Sequence, residues 1–178
     1  MVHNMGENKE KNVEKGKKTK KARIPRQVLH CQDPKIRNQN FKEVALGFSE
    51  DQAVLEAQRC LKCKKAPCRD GCPVEIDIKG FLTLVCDRKF KEALALIKEK
   101  NNLPGITGRV CPQESQCEAK CTLGKMKNSA PLAIGSVERF LADNEQKYGK
   151  TDVMACAEHI HDKMARVGSG RGGLTAGG

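Results

Sequence analysis

Tryptophan is absent from the chain, tyrosine occurs once and phenylalanine five times, so aromatic side chains make up only 3% of the 178 residues. That scarcity excludes a large aromatic core. The folded part must draw its stability from aliphatic helix packing and, if the cysteines permit, from an inorganic staple. No apolar segment approaches the length that spans a bilayer. The Lys-rich stretch Met1 to Arg23 also lacks the apolar run of seven or more residues that an export signal requires. These absences lead to the expectation of a cytoplasmic, non-membrane protein, in which the reducing poise disfavours a disulfide framework. No strand pairs and no internal repeat stand out beyond two groups of cysteines, so the expected fold class is all-α, with cluster-binding loops between helices.

What the chain has in plenty is positive charge and cysteine: its formal net charge is +11 and it carries ten cysteines. The charge is unevenly spread. Residues 1 to 26 hold nine basic side chains against Glu7, Glu10 and Glu14, which places six of the eleven excess charges there. Residues 1 to 25 read as a disordered, solvated basic tail. It is open to docking on an acidic partner, whereas nucleic acid is not an expected partner because no aromatics are interleaved with the lysines.

Past the tail, Ile24 to Asn40 has turn formers and little periodicity, as an extended arm lying on the domain would, and order is expected to start near Phe41. Ser49 to Gln52 form a capping-box pattern, and Ala53, Ala57 and Leu61 follow at four-residue spacing. That pattern predicts a helix from about Glu50 that delivers Cys60 and Cys63. A second helix is predicted from an Asp77 cap, with Ile78, Phe81, Leu82 and Val85 as its apolar stripe. A third repeats the spacing in Phe90, Ala93, Leu94 and Ile97 and is stopped by the run Asn101 to Gly105. Irregular chain is expected from Gly105 to Lys127. A fourth helix is predicted from near Pro131 to about Lys147. Its stripe of Ile134, Val137 and Leu141 contains an anomaly, Glu138.

The first cysteine group reads Cys60-x2-Cys63-x4-Cys68-x3-Cys72-Pro73. It is close to the ferredoxin run C-x2-C-x2-C-x3-C-P, whose first three thiolates hold one cluster while the fourth reaches a second. Short loops can wrap three corners of an iron-sulfur cube, but the last ligand must arrive from elsewhere in the chain. Pro67 and Gly71 help the loop turn, and Pro73 interrupts it before the next helix. Cys111, Cys117 and Cys121 supply the distant ligands. Crossover ligation assigns Cys60, Cys63, Cys68 and Cys121 to one [4Fe-4S] cluster and Cys72, Cys111 and Cys117 to another. Glu138 is the preferred fourth ligand of the second, because a carboxylate on an apolar stripe is costly unless paired or metal-bound; an ion pair with a nearby Lys or Arg is the plainer role. Seven bound thiolates and two clusters of core charge +2 would leave the folded part nearly neutral.

Zinc is the competing metal, and a zinc-stabilised interaction module without redox activity is the alternative function. Structural zinc favours paired C-x2-C or Cys/His sets. Here only Cys60 and Cys63 are so spaced, and His3, His30, His159 and His161 all lie outside the cysteine-rich middle. Cys86 falls beside an apolar stripe as a core thiol, and Cys31 and Cys156 sit in the flanks without partners at ligand spacing.

The run from Gln32 to Gly47, the cysteine run ending in Cys72-Pro73, Asp77 to Phe81, Gly108 to Pro112 and Ala130 to Phe140 together resemble the N-terminal domain of the small chain of NADPH-dependent glutamate synthase. Related domains occur in dihydropyrimidine dehydrogenase and in flavin-based NADPH:ferredoxin oxidoreductases. The resemblance covers about residues 25 to 150. It implies a helical ferredoxin-like domain over residues 26 to 150 with two [4Fe-4S] clusters, and a non-cysteine ligand at the position of Glu138. It also implies that the clusters pass electrons between an FAD- and NADPH-binding portion and a redox partner subunit like the glutamate synthase large chain.

Residues 151 to 178 read as a linker and the incomplete start of an FAD-binding fold. Lys163 to Leu174 resemble the first strand and Gly-rich turn of that fold, with Gly168, Gly170 and Gly173 at its glycine spacing. Arg166 stands where a buried strand would want an apolar residue. No helix follows to aim its N-terminus at phosphate, so FAD and NADPH are expected only in a missing portion or a partner. The expectation is a truncation, a shortened gene product or a separate electron-transfer subunit, not catalytic alone. Lys62, Lys64, Arg69, Arg109 and Lys120 lie near the ligands, where they offset anionic clusters, face an acidic partner or are simply solvated.

Overall fold

The computed structural model describes residues 24 to 149. The expectations for the tail before Ile24, for Cys156 and for the Gly-rich turn lie outside the described residues. Seven α-helices make up the regular structure: α1 (Pro34–Arg37), α2 (Glu50–Gln58), α3 (Pro67–Asp70), α4 (Ile78–Cys86), α5 (Phe90–Lys98), α6 (Pro104–Val110) and α7 (Ile134–Tyr148). Among the described residues there is no strand, so the fold is all-α, as expected. The one departure is an isolated antiparallel bridge between Cys31 and Ala45.

Helix α2 starts where its capping box puts it. Ser49 Oγ accepts from the Gln52 N–H while Gln52 Oε1 accepts from the Ser49 N–H, so two otherwise orphaned donors are satisfied reciprocally. Asp77 caps α4 by accepting from the Gly80 N–H at 3.0 Å. The predicted stripes of α4 and α5 face each other in the core, where Ile78, Phe81, Leu82, Val85, Ala93, Leu94 and Ile97 are all buried. Each large aliphatic or aromatic side chain so buried contributes about 1.5–3 kcal/mol. An edge-to-face pair between Phe90 and Phe140, with centroids 5.2 Å apart, pins α5 to α7.

Three stretches differ from the sequence expectations, and the first is the arm before Phe41, which holds α1 with Asp33 accepting from the Lys35 N–H at 2.8 Å as its cap. The stretch after Gly105, expected to be irregular, contains α6 and a short 3-10 turn at Thr122–Lys125. Intrinsic propensity disfavours α6, since two glycines and three β-branched residues take five of its seven positions. Packing against α7 overrides that. A Cβ at Gly108 would lie 2.8 Å from the backbone nitrogen of Arg139, so the missing side chain is what lets the two helices press together.

Helix α7 begins at Ile134 rather than near Pro131. The reason is that side chains have claimed the preceding backbone. Arg59 donates to the carbonyls of Ala130 at 2.7 Å and Pro131 at 3.3 Å, Arg26 donates to Pro131 at 2.8 Å, and the Ala133 N–H donates to Glu56 at 2.7 Å. Carbonyls so occupied are drawn away from the i→i+4 ladder that would extend the helix.

Candidate metal centre

Cys60 and Cys63 leave the end of α2, Cys68 lies in the single turn of α3, and Cys121 precedes the 3-10 turn. All four line one pocket, whose other walls include Ile78, Leu82, Leu123, Leu132 and Ile134. The grouping is the one read from spacing, with Cys121 brought across some fifty residues of chain. The close approach of the two cysteine loops has a visible cause. A Cβ at Gly71 would stand 2.7 Å from the Gln116 carbonyl oxygen and 2.8 Å from the Lys120 side chain, so only glycine fits between them.

Burial, and then the mutual repulsion of the thiols as they ionise, govern the chemistry of this pocket. Desolvation raises Cys60, and raises Cys68 to about 11, with the charges of Cys121 and Cys60 adding to the rise at Cys68. Such thiols keep their protons at neutral pH unless cations draw them off. Cys63 is held at the rim, its Sγ donating to Thr122 Oγ1 at 3.3 Å.

The second group is drawn from the chain just after α3, the loop that follows α6, and α7. Cys117 is buried, and desolvation followed by the charges of Glu118 and Cys72 raises it to about 12, with Glu138 adding a smaller push in the same direction. Cys72 and Glu138 therefore both lie within electrostatic reach of Cys117. Cys111 is the C-cap of α6 and its N–H donates to the Thr107 carbonyl at 3.0 Å. That places it one turn beyond the residue whose hydroxyl reaches Glu138.

Glu138 is buried on α7, and desolvation raises its pKa. Its hydrogen-bond partners are neutral. Thr107 Oγ1 donates to Oε1 at 2.6 Å and Asn101 Nδ2 donates to the same oxygen at 2.9 Å. Both bonds fall on Oε1, an arrangement that aims the carboxylate without neutralising it. Neither donor was singled out in the sequence. Asn101 reads there as a helix stop and Thr107 as part of an irregular stretch; the signal that points to them is the buried carboxylate itself, which demands donors.

A second feature the sequence reading missed is the buried pair Glu56–Arg59 beside Cys60, with N–O separation 2.5 Å and side-chain exposures of 0% and 4%. Glu56 also accepts from the Gln27 N–H at 2.7 Å, and Arg59 donates to the Ile24 carbonyl at 3.1 Å. The arm is thereby tied to α2 and to the segment before α7. Cys86, expected as core, is half-buried at the end of α4 and close enough to Cys60 and Lys62 to feel their charge. Cys31 is exposed at the bridge.

A tetrahedral zinc draws its thiolates to about 2.3 Å from one point. Among the described residues no three His, Cys, Asp or Glu side chains converge on a single ion in that way. The first four sulfurs instead line the walls of a pocket. A soft donor set spread around an apolar hollow suits a multi-iron sulfide core, and the residues present fit such a group.

Comparison with known proteins gives the same chemistry. Residues 37–150 match the family model for dihydropyrimidine dehydrogenase domain II, 4Fe-4S cluster. The chain is 37% identical over 140 residues to the glutamate synthase [NADPH] small chain of Escherichia coli K12, covering 79% of this chain and 29% of that protein. It is 37% identical over 139 residues to the NAD-dependent dihydropyrimidine dehydrogenase subunit PreT of the same organism, covering 78% and 33%. The putative oxidoreductase AegA, also from that strain, is 35% identical over 139 residues, covering 78% and 21%. The chain thus spans a third or less of the length of these relatives.

Proposed function

The chain belongs to the 4Fe-4S cluster family of dihydropyrimidine dehydrogenase domain II, and from that premise we propose that it relays single electrons through two [4Fe-4S] clusters. Cys60, Cys63, Cys68 and Cys121 hold the first; Cys72, Cys111, Cys117 and Glu138 hold the second. The observation that carries the proposal is the convergence of four cysteines from two distant loops on one apolar pocket.

When bound, such clusters supply one-electron acceptor and donor levels whose potentials follow ligand type, burial and hydrogen bonding. The protein's own part is to hold the donors apart at fixed corners, exclude water and set local charge. Asn101 and Thr107 orient the Glu138 carboxylate. An oxygen ligand at one site and none at the other separates the two potentials.

The relatives include a glutamate synthase small chain and a dihydropyrimidine dehydrogenase subunit. Their kind of activity suggests a flavin-containing portion on one side of the relay and a redox partner subunit on the other. The rim of the first pocket favours an acidic partner surface. Stretches 61–79 and 120–127 carry eight basic residues against Asp70, Glu75 and Asp77, an excess larger than the negative charge four thiolates and one cluster would bring.

Protein prepared without oxygen is expected to contain about eight iron and eight acid-labile sulfide per chain, with broad visible absorption that bleaches on reduction. A colourless protein with two zinc would overturn the proposal.

A further inference from the structure

The arm that leads into the domain does more than lie on it. Arg26 sends one guanidinium nitrogen to Glu118 Oε2 at 2.8 Å and the other to the Pro131 carbonyl at 2.8 Å. The Glu118 side chain is 6% exposed and that of Arg26 33%. Glu118 directly follows Cys117, and its charge weighs more on the Cys117 thiol than that of Cys72 or Glu138. Its backbone N–H donates to the Gln113 carbonyl at 2.9 Å, and Arg26 holds the carboxylate itself.

A buried negative charge beside a cluster ligand disfavours adding an electron, and a guanidinium bound to that charge cancels part of its field. We infer that Arg26 and Glu118 form a tuning pair for the second cluster: Glu118 lowers its potential, and Arg26, reaching in from the N-terminal arm, restores part of it. This rests on Cys117 being a ligand of that cluster. Neither residue touches the reacting centre, so both act as positioning residues through Cys117 and the field around it.

The same pair could be only a tether for the arm, and the two roles separate experimentally. In anaerobic protein the potential of each cluster is followed by an electron paramagnetic resonance redox titration, with iron content and thermal unfolding measured alongside. Glu118→Gln keeps the backbone and an acceptor for Arg26 while removing the charge. It is expected to raise the potential of the second cluster and leave the first in place. Arg26→Gln is expected to lower the second potential, Arg26→Lys to hold it near wild type, and the double variant Arg26→Gln/Glu118→Gln to return towards wild type. Equal shifts in both clusters, or an unchanged second potential in Glu118→Gln or Arg26→Gln with full iron content, would overturn the inference. Should Arg26→Gln lose iron, Glu118→Gln still decides it by the expected rise of the second potential alone, against an Arg26→Lys variant that holds it near wild type. Wild-type protein with no second-cluster signal would instead defeat the ligand reading beneath it.

Discussion

Glu56 and Arg59 share the interior at the end of α2, one residue from Cys60, and their contacts span both the arm and the segment before α7. Removing one partner of such a pair leaves the other charged and unpaired. Glu56→Ala is expected to destabilise the fold by about 3–5 kcal/mol, read as a lower midpoint in chemical unfolding; Glu56→Gln, which keeps acceptor capacity, should cost less. At Glu138 the expectation is local instead. Glu138→Ala should damage one cluster's signal and iron occupancy and spare the other's, and two unchanged signals would remove it from the ligand set. Glu138 was legible in the sequence because an apolar stripe makes a carboxylate conspicuous. Glu56 was not: a glutamate in a short, weakly amphipathic helix reads as an outward residue, and only the three-dimensional return of Ala133 and Gln27 explains its burial.

Among the elements, those with a strong period declared themselves. The capping box of α2 and the stripes of α4 and α5 depend on neighbours within two turns, and local spacing records them. Helix α6 escaped notice because its cause is not local: it has poor propensity and exists by resting on α7 through Gly108. The start of α7 was misplaced for a related reason, since arginines from residues 26 and 59 take the carbonyls that would have begun it. Gly108→Ala places a methyl 2.8 Å from the Arg139 backbone nitrogen, and overpacking of this kind costs about 1–3 kcal/mol. The expected result is a lower melting temperature together with a spectral change confined to the second cluster, whose Thr107–Glu138 contact lies across that helix pair. A uniform change in both signals would show that α6 does not serve one site in particular.

At the scale of the whole molecule, charge is distributed with a direction. Basic side chains crowd the loops around the first pocket, whereas near the second site Arg109 is engaged with Glu43 and Asp143, and Arg139 with Glu43, Asp143 and the Ala45 carbonyl. Association with an acidic partner at the first pocket, as proposed, would be steered by this basic excess and weakened as salt screens it. Reduction of the domain by an acidic protein donor is therefore expected to slow as ionic strength rises, and charge reversal at Lys64 and Lys65 to slow it at low salt. Reduction by a small uncharged reagent should respond to neither, and a donor rate insensitive to both would remove the docking face from the first pocket. The pocket itself, walled by Cys60, Cys63 and Cys68 and closed by Cys121, carries a consequence for biosynthesis. A ribosome that has emitted the first loop has exposed three thiols with nothing to complete them, and the fourth follows only after some fifty further residues. Completion of a four-thiolate site would thereby wait for the second loop, and a product terminated between the two loops would leave its sulfurs bare to oxidants.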